Sequence, residues 1–287
     1  MKTMNSISGG RTSAYMAAHL PADINVFAAV CMDNPLAKIK DAGLLSACRK
    51  KLERYDDRFG EFIGSAEDSK TFRVVLDLEQ MIGKEIIWVR GESFEAMVNR
   101  KKSLPNQEWR FCTTFLKISP IAEFIFETIG EKVINRQGIR IDEAQRIKAE
   151  GHRTQAIDIQ IGNYANGNRK WLNFEFAEAA YPLVFDDEGK LDPIKKAEIY
   201  QWANGSGLDF PKSSNCQFCF HKSVAELIGN NAENPKIFQA AREMEELRPK
   251  GSMKKDYPIS KIQRLQVPPI QLSFFGGDSC ESGFCHD

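Results

Sequence analysis

Apolar and polar positions along the first half of the chain predict strands and helices in turn. Met4–Ser8 is a short apolar entry, a Gly-Gly turn follows, and Thr12–Leu20 carries a helical pattern. Asn25–Met32 is a continuous β-type run of the kind buried on both faces of a parallel sheet. Phe72–Leu76 and Glu85–Val89 read as further strands, and Asp41–Tyr55 and Glu92–Lys102 as helices. Ile118–Ile129, apolar all round, suits a buried helix, and Lys132–Ile141 reads as a core strand running into a polar loop. This alternation predicts an α/β fold, a doubly wound and mostly parallel sheet with helices on both faces.

Beyond about Glu150 the pattern changes. Gly162–Lys170, rich in Gly and Asn, reads as a loop or hairpin turn. Asp192-Pro193 predicts a helix start, with the helix running to Ala203. Phe238, Ala241, Met244 and Leu247 recur at helical spacing, and the final twenty residues look irregular. The expected division is 1–205 for the nucleotide-binding α/β unit and 206–287 for a smaller, mainly helical, cysteine-bearing region.

The 287 residues include 42% hydrophobic positions, enough for a substantial core. Thirty-nine basic residues balance 39 acidic ones, so bulk charge selects neither a nucleic-acid binder nor a membrane-surface protein. Local clusters do exist, at Arg100, Lys101 and Lys102 and between Arg248 and Arg264, with Trp109 and Tyr257 as candidate stacking rings. Without a run of eighteen apolar residues or a continuous apolar leader, the expectation is a cytoplasmic protein with no membrane partner.

Ser8-Gly9-Gly10-Arg11-Thr12-Ser13, set between a strand and a helix, has the makings of an anion cradle. Its glycines permit a tight turn, and the first N–H groups of the helix point at the ligand. It is not a Walker A loop, because the G-x-x-x-x-G-K-[ST] pattern is missing.

Seven cysteines are present: Cys31, Cys48, Cys112, Cys216, Cys219, Cys280 and Cys285. An odd count argues for metal or redox use of a subset rather than a disulfide framework. Cys31 and Cys48 sit in apolar patterns and read as core. Cys216-Gln217-Phe218-Cys219, followed by His221, could join the looser Cys280/Cys285 pair, beside His286, in one metal centre. Spacing alone leaves zinc and iron–sulfur both open.

The S-G-G-x-x-S loop resembles the PP-loop of ATP pyrophosphatases and of phosphoadenosine-phosphosulfate (PAPS)-reductase-like proteins, within the adenine-nucleotide α-hydrolases. Three further segments agree in order. Val26–Asn34 resembles the strand whose end lies beside adenosine. Arg110-Phe111-Cys112-Thr113 with Lys117 and Pro120 resembles R-x-C-x-x-x-x-K-x-x-P. Gly138-Ile139-Arg140 with Asp142, Glu143 and Arg146 resembles G-x-R-x-x-E-x-x-R. The resemblance covers roughly residues 3–220. Many relatives carry Asp where this chain has Thr12, and a Ser where it has Ala144.

The resemblance implies nucleotide contacts at Ser8, Gly9, Gly10, Arg11, Thr12, Ser13, Asp33 and Gly138, and catalytic roles for Lys117, Arg140 and Arg146. It implies a [4Fe–4S] cluster on Cys112, Cys216, Cys219 and Cys285, with Cys280 as the alternative fourth ligand. The nucleotide would be ATP or a sulfonucleotide, with Mg²⁺ as an accompanying ion. The expected activity is ATP-dependent sulfur transfer to an acceptor such as a nucleic acid, served by a sulfur-donor or reductant protein. The alternatives are a PAPS-type reductase forming sulfite and a non-catalytic nucleotide-binding regulator with a structural metal. Reductases share an E-C-G-[LI]-H tail, and here Ser282 stands where that Cys would be.

Overall fold

The computed structural model describes residues 1–55, 58–147, 154–164, 166–186, 189–248 and 251–265, without the side chains of Gln145 and Arg146. Strand β1 (Thr3–Ile7) is buried on both faces and leads through the Gly-Gly turn into helix α1 (Arg11–His19). β2 (Ile24–Ala29), a two-residue β3 (Cys31–Met32), α2 (Ala42–Glu53), β4 (Gly64–Ser65), α3 (Ser69–Ile82), β5 (Ile86–Arg90) and α4 (Phe94–Lys101) follow. The chain is then helical through 111–129, as α5 (Phe111–Thr113), a π turn, α6 (Ser119–Phe124) and a second π turn. β6 (Val133–Arg136), β7 (Thr154–Asn163) and β8 (Arg169–Ala180) complete the strands. Helices α7 (Lys196–Gly205), α8 (Val224–Glu233), α9 (Pro235–Glu246) and α10 (Ile259–Ile262) close the described chain.

The main sheet runs β5-β2-β1-β6-β8-β7. Every neighbouring pair is parallel except β7–β8. Its two faces are covered by different helices because side chains alternate along each strand. Phe27 packs with Trp88, Phe72, Leu78, Leu45 and Ala14 on the face of α1, α2 and α3. Val26 and Ala28 pack with Ile121, Phe124 and Ile125 on the face of α6. A further apolar cluster joins Val30, Phe94 and Met97 to Phe218, Phe238 and Met244. No helix among the described residues is long and apolar enough to cross a membrane.

Four sequence expectations are corrected. Phe72–Leu76 is not a strand: it lies inside α3, where Thr71, Phe72, Val75 and Leu78 fall on one buried helical face. Asp68 caps that helix by accepting from the Lys70 N–H, and Gly83 ends it at φ +61°, so its end signals outweigh the β-branched Val74-Val75 pair. The run Asn25–Met32 is two strands, since β3 leaves the sheet to pair antiparallel with β4. The strand expected over Lys132–Ile141 stops at Arg136. The helix expected from Asp192 starts at Lys196, because the Asp192 and Ile194 N–H groups donate to Val184 and Leu183 and hold that stretch extended.

Candidate functional site

From β1 the chain steps outward to β2 and β5, then returns across to β6 and β8. Such a reversal opens a crevice at the carboxyl ends of the two strands that flank it, the usual ligand position in an open α/β sheet. Ser8–Ser13 leaves β1 at that place, and Gln137–Arg140 leaves β6 beside it. The two segments touch: a Cβ on Gly138 would lie 3.3 Å from the Ser13 nitrogen.

Within the loop, Ser13 Oγ accepts from the Ser8 N–H at 3.1 Å and Ser8 Oγ accepts from the Gly10 N–H at 3.3 Å. Gly9 has φ +73°, and a Cβ there would come within 2.6 Å of Thr71 Cγ2 on α3. Glycine is therefore required both by the backbone conformation and by the close approach of α3. Arg11 turns aside, its guanidinium carbon 5.3 Å from the Tyr200 ring centre and 5.6 Å from that of Phe210.

Arg140 is fully buried. It donates to Thr12 Oγ1 at 2.9 Å and makes paired bonds to Asp142 at 3.0 and 3.1 Å. Those bonds hold the Asp142 carboxyl below its ordinary range. Glu143 approaches the same guanidinium at 3.6 Å. Arg140 thus ties the loop after β6 to the first turn of α1. The side chain of Arg146 lies outside the described residues.

The cysteine segment lies over the loop. Ser214 Oγ donates to Ser8 Oγ at 3.5 Å, and Cys216 follows two residues later. Cys112, Cys216 and Cys219 line one cavity of about 50 Å³ together with Lys117, Asn215 and His221. Burial, reinforced by Cys219, pushes the Cys112 thiol up to about 12. Burial and then the Glu67 charge push Cys216 well above its ordinary value. Three neighbouring thiols have the donor chemistry of a thiophilic metal centre, which would deprotonate them on binding, but not its arrangement as they stand. Among the described residues no three His, Cys, Asp or Glu side chains are arranged to hold a metal ion. Cys280 and Cys285 lie outside the described residues.

Several polar groups of this region carry no sequence signal. Lys117 Nζ donates to Oε1 of the buried Glu67 at 3.0 Å. Burial raises the Glu67 carboxyl against the opposing pull of Lys117. Glu67 also lines a separate cleft of about 500 Å³ between 35–41, 65–69 and 233–237. Lys222 is buried with its ammonium on Ser213 Oγ at 2.6 Å, and burial lowers its proton affinity. A buried lysine two or three residues past a C-x-x-C looks the same in sequence as a surface one.

Asp33, expected beside adenosine, is exposed, and its N–H donates to Glu95 at 3.0 Å. Glu95 also accepts from the Asn34 N–H at 3.2 Å and so pins the turn after β3. Burial raises the Glu95 carboxyl despite those donors. A carboxyl raised in the folded state stabilises the fold most below its unfolded pKa, about 4.3, and that contribution is lost as pH rises through the folded value. Glu95→Gln removes the titration. The stability of the variant relative to wild type should therefore climb with pH from about 4.3 and then level off. Urea unfolding at a series of pH values reads this, and a pH-independent difference would refute it.

The fold defines an open α/β protein with a glycine-bearing loop at its strand-order reversal. No protein-family model and no solved structure matches the chain. Over 97 residues it is 33% identical to an uncharacterized protein of Methanocaldococcus jannaschii, a stretch that makes up 33% of this chain and 20% of that one. The chain thus spans about a fifth of the relative it matches.

Proposed function

We propose that the protein is a PP-loop enzyme of the PAPS-reductase-like kind, which uses ATP to replace an oxygen of its substrate by sulfur. One observation carries the reading: the covering segment that reaches Ser8 through Ser214 also bears Cys216 and Cys219. A phosphate loop and a sulfur-reactive centre so close suit a reaction in which activation and sulfur delivery occur at one atom. The ordered motifs Ser8–Ser13, Arg110–Lys117 and Gly138–Arg146 support the same reading.

In this scheme an oxygen of the acceptor attacks the α-phosphate of ATP, and pyrophosphate leaves along the Ser8–Ser13 loop. A hydrosulfide equivalent from a sulfur donor then displaces AMP with that oxygen. The loop N–H groups stabilise the departing pyrophosphate. Arg140 positions the loop through Thr12, and Lys117 with Glu67 can hold or pass a proton beside the thiols. Cys112, Cys216 and Cys219, with Cys285 or Cys280 from the tail, would hold an iron–sulfur cluster, which supplies a binding point for sulfur.

The test is anaerobic purification with iron and sulfide analysis, followed by an ATP pyrophosphate-release assay with and without nucleic acid. Iron and acid-labile sulfide together with pyrophosphate release are expected, and Cys216→Ser should lose the iron. An iron-free protein would remove the cluster. Sulfite formation from a sulfonucleotide without pyrophosphate release would replace this reading with reduction, the alternative that the Ser282 tail disfavours.

A further inference from the structure

The β7–β8 hairpin is longer than the sheet that carries it. Only Ala177–Ala180 of β8 pair with β6, so among the described residues Arg169–Phe176 have β7 as their sole strand partner. Phe174 and Phe176 still pack on the core beside Val26 and Ile121, so the free ribbon is Arg169–Asn173 with its β7 partners, about 17 Å long. Nearly all of its distal positions are exposed on both faces. Such a ribbon gains little from a core, and apolar side chains left on it call for another explanation. Tyr164 is 55% exposed and Trp171 51%, and Ile161 and Leu172 are exposed beside them.

Acids are confined to the sheet-proximal part of the hairpin, from Asp158 and Glu175 inward. The distal part of the ribbon, from Ile159 round the turn to Leu172, carries Arg169 and Lys170 and no acidic residue. Side-chain alternation places Arg169, Trp171 and Asn173 on one face, with Gln160 opposite Trp171. Asn163, Asn166 and Asn168 add amides around the turn, which Gly167 closes at φ +82° with its N–H on the Tyr164 carbonyl at 2.9 Å.

We infer that this ribbon binds a nucleic-acid strand along the face of Arg169 and Trp171, with Arg169 on a phosphate and Trp171 stacked on a base. An exposed ring flanked by a cation and amides, with the nearest acid, Asp158, engaged by Asn173 at 2.9 Å, matches what a single strand offers: flat base faces and a regular row of negative charge. The inference takes the sulfur acceptor of the preceding reading to be a nucleic acid, yet it rests on the ribbon's own residues. Binding is therefore measured without ATP, so that failure of either claim leaves the other standing.

The experiment is fluorescence anisotropy of the full chain with a labelled single strand of about 20 nucleotides, longer than one site of this kind, and with the corresponding duplex, over a salt series. Tighter binding of the single strand is expected. Trp171→Ala should weaken it roughly tenfold, and Arg169→Ala should flatten the salt dependence by about 0.7 in log–log slope. Because these side chains are exposed, the variants should keep the circular-dichroism spectrum and melting temperature of wild type. Absence of oligonucleotide binding, or binding unchanged by both variants, would overturn the inference. So would a dimer, seen by light scattering, that Trp171→Ala splits while oligonucleotide affinity stays the same, because the ribbon would then be a self-association arm.

Discussion

Replacing Arg140 by methionine is expected to lower stability by about 3 kcal/mol, the low end of the range for removing one partner of a buried ion pair. The low end applies because Asp142 is 40% exposed and can recover water once its partner is gone. Glu143, at 12% exposure, and the fully buried Thr12 cannot do so as easily. Arg140→Lys keeps the charge but cannot reproduce the parallel bonds to Asp142 together with the bond to Thr12. It should recover only part of the loss. Urea unfolding of the two variants measures both effects. If Arg140→Met were as stable as wild type, the tie between the loop after β6 and α1 would be idle. On the proposed function, ATP affinity, measured by calorimetry, should fall in step, since Thr12 belongs to the first turn of α1.

Gly9→Ala is expected to cost a similar amount, about 3 kcal/mol, from two sources. The left-handed conformation at φ +73° alone accounts for about 1 kcal/mol. The remainder comes from a Cβ placed 2.6 Å from Thr71 Cγ2 and 2.9 Å from the Thr71 carbonyl oxygen. A rotation of the Thr71 side chain can relieve the first contact, but the second is against backbone, so α3 or the loop must move. Gly83→Ala separates the two sources. Gly83 has φ +61°, and a methyl group there would meet nothing within 4 Å, so it should lose only about 1 kcal/mol. Equal losses at the two positions would mean that the α3 contact is soft. On the proposed function, ATP binding should fall at Gly9→Ala and not at Gly83→Ala.

Much of this fold is legible in the chain itself. β1, the Gly-Gly turn and α1 announce themselves through an apolar run, a pair of glycines and a helical repeat, all of them local signals. The meeting of Gly138 with Ser13, and of Cys112 with Cys216 and Cys219, follows a motif order that the sequence displays. α3 is harder to read, because Val74-Val75 looks like strand over five residues and like helix only over fourteen, once Asp68 and Gly83 are counted as its ends. Glu67, Glu95 and Lys222 give no signal, because burial of a charged side chain is decided by elements far away in the chain. Lys222 is 2% exposed with its ammonium on Ser213, and no neighbour in sequence reveals that.

The contact between Ser214 and Ser8 spans 206 residues, and it sets an order of events during synthesis. At about 5–20 residues per second, Ser214 follows Ser8 by roughly 10–40 s. β6, the neighbour that completes the central strand, comes partway through that interval, with Ser6 bonded to Asn135 across 129 residues. The glycine loop on a growing chain is therefore built well before the serines that cover it. An anion bound in that interval would be enclosed by the arriving cysteine segment and would not have to find its way beneath it.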